Sequence, residues 1–182
     1  FSIEKYMHGT PSGGDNTTCC YGGLVWFQKT MQGNVIKNLD ISKLENFFLV
    51  YVSRPEKSTG ELVQQVRELE ESYRQPRISD IGRATHDMLD ALTTNDTKKI
   101  RECINIAQKN LSELGVSLPI IDDICKAVRG IGGAAKLCGA GGGGTVLCYH
   151  EDRLKLLEAI SDLGFSATET VLGDEGVRVD SK

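Results

Sequence analysis

No apolar stretch in this chain is long enough to cross a bilayer. The longest that matters, Phe47 to Val52, falls far short of the roughly 20 residues a membrane helix requires, so no membrane partner is expected. A basic stripe is absent too. Lys and Arg number 21 against 25 Asp and Glu, for a formal charge of -4, and no run of cations is placed to neutralise successive phosphates, which argues against a nucleic-acid partner. The opening residues FSIEKYMHG lack a basic region followed by an apolar core, so no secretory signal is expected. The absence of an initiating Met leads to the expectation that the chain is a fragment with residues missing upstream. Its six cysteines, at 19, 20, 103, 125, 138 and 148, include no CxxC pair and no His partner at metal spacing. They read as free thiols in a reducing cytoplasm, with those on apolar stripes acting as small hydrophobes. The rival reading is a reactive or metal-bound thiol near Cys19. Internal repeats, low-complexity tracts and interdomain linkers are also lacking.

What is present suits a soluble domain. The 182 residues, 40% of them hydrophobic and 25% charged, are enough to bury a real core. Residues 24–30, 34–40 and 46–53 read as strands, the first two joined by a turn around Gln32 and Gly33. Ser58 followed by Glu61 makes a capping box at a helix start. Apolar spacing of threes and fours then predicts helices over 58–74 and 78–94, separated at Pro76, and over 96–114, 119–129 and 152–163. Gly115 offers a left-handed stop, and Pro119 opens the next helix. Residues 134–138 and 145–150 alternate as strands around a glycine loop, and SATETVL and GVRV read as closing strands. Strands first, helices in the middle and a β-β-α-β-β tail predict an α+β fold: an antiparallel sheet with helices packed on one side.

Two segments carry chemistry. The first is HGTPSGGDN, residues 8–16, which follows a short stretch containing Glu4. A Pro fixes one dihedral, the glycines permit close backbone approach, and Asp15 stands at the exit. An ordinary surface turn has the same composition. The second is KLCGAGGGGT, residues 136–145. Its glycines satisfy G-x-G-x-x-G, but a dinucleotide site needs a helix to follow at once, and TVLCYH reads as a strand. Successive glycines still expose amides suited to an anion such as a phosphate, with a flexible hairpin as the bland alternative. His8 reads as a hydrogen-bonded loop residue, with His86 and His150 weaker candidates still, and Glu68, Glu70 and Glu71 read as the solvated face of a helix.

In this order, and separated by a helical block, the two motifs resemble the second half of the GHMP kinases, with HGTPSGGD in the form used by the branch that phosphorylates mevalonate. Glu4 stands eleven residues before Asp15, the spacing between the family's magnesium-binding Glu and its catalytic Asp. Ser58 and Thr59 resemble the family's substrate-site Thr at a helix start. The resemblance implies Asp15 as the catalytic residue, Glu4 as a magnesium ligand, and Ser12, Gly13, Thr59, Gly139, Ala140, Gly141, Gly142 and Gly143 as a lining for phosphate and acceptor. ATP and Mg2+ are the implied cofactors, and mevalonate or a similar small alcohol the implied substrate. It further implies that residues 1–40 are the tail of the kinase's amino-terminal domain and that 41–182 form its carboxy-terminal domain, a ferredoxin-like arrangement.

Cys138 stands where a Thr is common, Gly14 where a small aliphatic residue is usual, and Cys19 and Cys20 where small residues are usual. The family's early Lys and its Ser-rich ATP loop are not among these residues, so the chain alone is expected to be inactive. An amino-terminal half is the expected partner. An apolar face around Leu24, Trp26 and Phe27 is expected to be uncovered, favouring self-association. The alternative readings are a non-catalytic binding or interaction domain with this half-fold, or a kinase for another small alcohol or sugar.

Overall fold

A computed structural model describes residues 12–41 and 43–178, and the chain divides into a larger unit, 46–170, and a smaller one made of 1–45 and 171–182. In chain order the elements are α1 (Gly14–Tyr21), β1 (Leu24–Thr30), β2 (Gly33–Leu39), β3 (Leu44–Ser53), α2 (Thr59–Glu68), α3 (Glu71–Thr94), α4 (Thr97–Glu113), α5 (Pro119–Gly130), β4 (Ala134–Leu137), β5 (Gly144–Tyr149), α6 (Arg153–Ser161) and β6 (Ala167–Leu172). The expected α+β class holds.

A four-stranded sheet in the order β4-β5-β3-β6 organises the larger unit. β5 runs antiparallel to both neighbours, with Cys148 opposite Phe48 and Ala135, and Val146 opposite Val50 and Leu137. Because side chains alternate between faces along a strand, these six gather on one face. None is more than 1% exposed. Against them pack Ile121, Ile124, Cys125 and Val128 of α5, Leu156 and Ile160 of α6, and Leu62 of α2, each large apolar side chain contributing roughly 1.5–3 kcal/mol by burial. On the opposite face Tyr51 is 63% exposed.

β4 is an edge strand. Its outward amide at Leu137 donates to Gln108 Oε1 of α4 at 2.9 Å, so the helix closes an edge that would otherwise leave a buried donor unpaired.

Local chemistry explains most helix ends. Ser58 caps α2 in the expected capping box: Glu61 N–H donates to Ser58 Oγ at 3.3 Å, and Ser58 N–H donates to Glu61 Oε2 at 2.7 Å. Gly115 takes the left-handed conformation after α4, with φ 77, and Pro119 is the first residue of α5.

Pro76 departs from expectation. The break falls at Leu69 and Glu70, whose backbones are extended, and Pro76 lies inside α3. Two tertiary anchors start that helix early. Tyr73 Oη donates to the Glu113 carbonyl at 2.9 Å, and Arg77 pairs with the Glu113 carboxylate at 2.8 Å. The proline forfeits one amide bond, to the carbonyl of exposed Ser72, where water can serve instead.

In the smaller unit β1 and β2 form an antiparallel hairpin with Leu24 opposite Leu39 and Thr30 opposite Gly33. Leu24, Val25, Trp26 and Phe27 are half-buried. GVRV is a second departure, since residues 176–178 belong to no strand. An isolated bridge joins Gly22 to Glu175 instead, and Val177 N–H donates to Cys19 O at 3.2 Å. The backbones meet there so closely that a Cβ on Gly22 would lie 2.0 Å from Gly176 N. The crossing therefore fixes the chain path where alternation alone suggested a strand.

Candidate functional site

From Gly14 onward the first motif is helix rather than loop. After Gly13, α1 begins, and Asp15 occupies its first turn with an exposed side chain. Gly13, in the left-handed region at φ 83, is the residue before the helix. Ser12 Oγ accepts from Gly14 N–H at 3.1 Å, while Thr17 Oγ1 donates to Gly13 O at 2.7 Å. Ser12, Gly13 and Asp15 are thus held together within a single turn, with the carboxylate at the positive end of a helix dipole. Glu4 and His8 lie outside the described residues. Cys19 and Cys20 are exposed on the same short helix.

The second motif is held rigidly rather than hanging free. Gly139, Gly141, Gly142 and Gly143 all have positive φ, between 68 and 132, and the loop they make rests on three other segments. Gly142 N–H donates to Val116 O at 2.8 Å. A Cβ on Gly141 would lie 2.1 Å from that same Val116 oxygen, one on Gly142 3.1 Å from Leu62 Cδ1, and one on Gly143 3.0 Å from Pro55 Cα. Only glycine permits that approach. The amide of Gly142 is consequently committed to protein and is not among those open to an anion.

Thr59, the first residue of α2, is exposed, and Leu62 beneath Gly142 lies three residues further along the same helix. The structure therefore brings the helix start and the glycine loop together within the larger unit. A cleft of about 200 Å³ adjoins them, lined by Ser53, Lys57, Leu62, Gln65, Val116 and Gly142 among others. Lys57 Nζ donates to Gln65 Oε1, and Gln65 Nε2 donates to Gly115 O, both at 2.8 Å.

The glycine run announced the loop, but nothing in its vicinity announced Val116, Leu62 or Pro55 as its seat. Gly115 read as a helix stop and Leu62 as part of an apolar stripe. Gln108 went unnoticed altogether, although it is only 3% exposed. A buried polar residue on an otherwise apolar helical stripe is the one signal that could have found it.

No group of three or more His, Cys, Asp or Glu that could hold a metal ion gathers among the described residues. Magnesium in phosphoryl-transfer sites is typically held by one or two carboxylates together with substrate phosphates. Asp15 is an exposed carboxylate among the described residues, and Glu4, the expected magnesium ligand, lies outside them. No helix among the described residues is long and apolar enough to cross a membrane.

Residues 88–166 match the family model described as GHMP kinases C terminal. Mevalonate kinase of Schizosaccharomyces pombe is 35% identical over 196 residues, spanning 98% of this chain and 48% of that protein. The Candida albicans mevalonate kinase is 31% identical over 198 residues, 97% of this chain and 45% of that protein, and the Homo sapiens one 29% identical over 197 residues, 100% and 48%. The chain spans about half the length of the curated relatives it matches. In fold it is similar to the L. major mevalonate kinase crystallised with R-mevalonate, with a TM-score of 0.80, 20% identity, and coverage of 96% of this chain and 56% of that one. It is also similar to the Methanococcus jannaschii mevalonate kinase, with a TM-score of 0.74, 23% identity, and coverage of 94% and 53%. Residues 88–166 are thus a GHMP kinase carboxy-terminal domain, and the fold of the chain agrees with that assignment.

Proposed function

We propose that this chain supplies the carboxy-terminal part of a kinase that transfers the γ-phosphoryl group of ATP to the primary hydroxyl of mevalonate, giving 5-phosphomevalonate and ADP for isoprenoid biosynthesis. The observation that carries this reading is that relatives named mevalonate kinase match between 97% and 100% of the chain. Residues 1–40 then belong to the tail of the kinase's amino-terminal domain and 41–182 to its carboxy-terminal domain, in the cytoplasm.

Phosphoryl transfer asks little covalent chemistry of a protein: it needs an oriented hydroxyl and neutralised phosphate oxygens. Asp15 orients the mevalonate hydroxyl and takes its proton as the new O–P bond forms and the bond from the γ-phosphorus to the ADP oxygen breaks. Its exposure and its place in the first turn of α1 leave the carboxylate free to do this. Glu4 would hold the Mg2+, which would supply charge neutralisation to the phosphate oxygens. Ser12, Gly13 and Thr59 line the acceptor, while the loop from Gly139 through Ala140, Gly141 and Gly143 offers backbone amides to phosphate, with Gly142 anchoring it. The early Lys and the Ser-rich ATP loop belong to the other half of the family's fold. Residues 1–182 alone are expected to show no measurable turnover, because electrostatic stabilisation of the transferring group is usually the largest catalytic contribution.

The test uses the enzyme completed with its amino-terminal half, assayed for ADP release with mevalonate, homoserine and galactose in turn. Mevalonate is the expected acceptor. Asp15→Asn keeps the shape and loses the proton acceptor, so kcat should fall by at least ~10²-fold with little change in mevalonate affinity. Glu4→Gln should weaken Mg-ATP binding and recover in part as magnesium is raised. Near-normal turnover of Asp15→Asn would reduce that carboxylate to a helix-start residue and defeat the proposal, as would a preference for another acceptor.

A further inference from the structure

Gln108 of α4 is buried, makes three hydrogen bonds with its side-chain amide, and has no part in the chemistry above. Its Oε1 accepts from Leu137 N–H at 2.9 Å, the last residue of β4 before the glycine loop. Its Nε2 donates to Ser117 Oγ and to Asp122 Oδ1, both at 3.1 Å. Asp122 in turn accepts from Ser117 Oγ at 2.8 Å and from Ser112 Oγ at 2.9 Å. Leu137 N–H must meet an acceptor, which fixes the amide's orientation and turns Nε2 towards the serine and the aspartate.

This network reaches the glycine loop at two points. At its start, Leu137 is tied to Gln108 directly. In its middle, Gly142 N–H donates to Val116 O at 2.8 Å, and Val116 is the residue immediately before Ser117, the second partner of Gln108. We infer that Gln108 is a positioning residue: it locks the strand end before the loop to the α4–α5 connection on which the loop rests, and so sets where the remaining loop amides point. A side chain that only filled space would need none of these polar atoms, and burying an amide at this point costs stability unless each bond is made. The consequence for phosphate binding rests on the function proposed above, whereas the hold on the loop does not.

Hydrogen exchange of the Gly142 amide tests the hold without any turnover. Gln108→Leu removes all three bonds at similar volume, and Gln108→Glu keeps an acceptor for Leu137 but sets a carboxylate against Asp122. In both, protection of Gly142 should fall about tenfold, the equivalent of one net hydrogen bond of ~1.4 kcal/mol, while Val50 in the centre of the sheet keeps its protection. Combining Gln108→Glu with Asp122→Asn restores a donor opposite an acceptor and should bring the Gly142 protection back. Cys103→Ala, a buried change on the same helix, should leave the ratio of Gly142 to Val50 protection alone.

In the completed kinase the Gln108 variants should raise KM for ATP about tenfold, whereas a mere loss of folded enzyme lowers kcat with KM unchanged. If Gly142 and Val50 lose protection together, or if neither responds, Gln108 is only structural and the inference fails. If Gly142 alone responds and KM for ATP does not, Gln108 still sets the loop, and it is the phosphate role of that loop that is refuted.

Discussion

Gly141→Ala should be the most damaging single-methyl addition in the glycine loop. Gly141 sits at φ 92, and an added Cβ would lie 2.1 Å from Val116 O and 3.0 Å from Val116 C. The obstacle is backbone, so it cannot rotate away, and it is the same oxygen that accepts from Gly142 N–H. Relief requires the loop to lift off the α4–α5 connection. Backbone strain of about 1–3 kcal/mol and one lost hydrogen bond of about 0.5–1.5 kcal/mol give a destabilisation of roughly 1.5–4.5 kcal/mol.

Two controls separate these causes. Gly139 has φ 68 with nothing within 4 Å of an added Cβ, so Gly139→Ala carries only the left-handed cost of about 1–2 kcal/mol. Gly82 lies inside α3 with open space around it, so Gly82→Ala should stabilise by about 0.5–1 kcal/mol. Thermal melts of the three variants suffice, at about 2–4 °C per kcal/mol for a chain this size. A Gly141→Ala melt indistinguishable from that of Gly139→Ala would mean that the loop does not rest on Val116.

Three further outcomes are expected. Burial pushes the Cys125 thiol up to about 12 from an ordinary 9.0, and raises that of Cys148 further. Above pH ~9 the unfolded chain loses these thiol protons first, so stability should fall with rising pH by up to ~1.4 kcal/mol per unit for each group; equal urea midpoints at pH 8 and pH 10 would refute this. A thiol reagent should modify exposed Cys19 and Cys20 in the native chain and reach Cys125 and Cys148 only in denaturant, and native labelling of Cys148 would contradict its place in the core. Ser58→Ala should cost about 1 kcal/mol by removing the cap of α2, and an unchanged melt would show that the capping box contributes nothing.

Whatever depends on neighbours in the chain was legible in the sequence. Ser58 with Glu61, Gly115 after α4 and Pro119 at the start of α5 each act on amides or dihedrals a few residues away, and all three stand where they were read. The apolar run at 46–53 and the alternating runs at 134–138 and 145–150 likewise announced strands, because a sheet packed against helices demands apolar residues on its buried face. The same locality made HGTPSGGD and the glycine run recognisable as family motifs.

Tertiary structure decided the rest, for the reason that partners far apart in sequence leave no local mark. Pro76 marks no break because Tyr73 and Arg77 are held by Glu113, nearly forty residues later. Residues 176–178 form no strand because their neighbour Glu175 bridges to Gly22 across most of the chain length. A turn-like motif became the start of a helix carrying Asp15. The glycine loop, read as either anion site or free hairpin, is seated on Val116, Leu62 and Pro55, three residues that carry no signature of their own, and is tied by Gln108, whose polar side chain is buried only because strand, helix and loop meet around it.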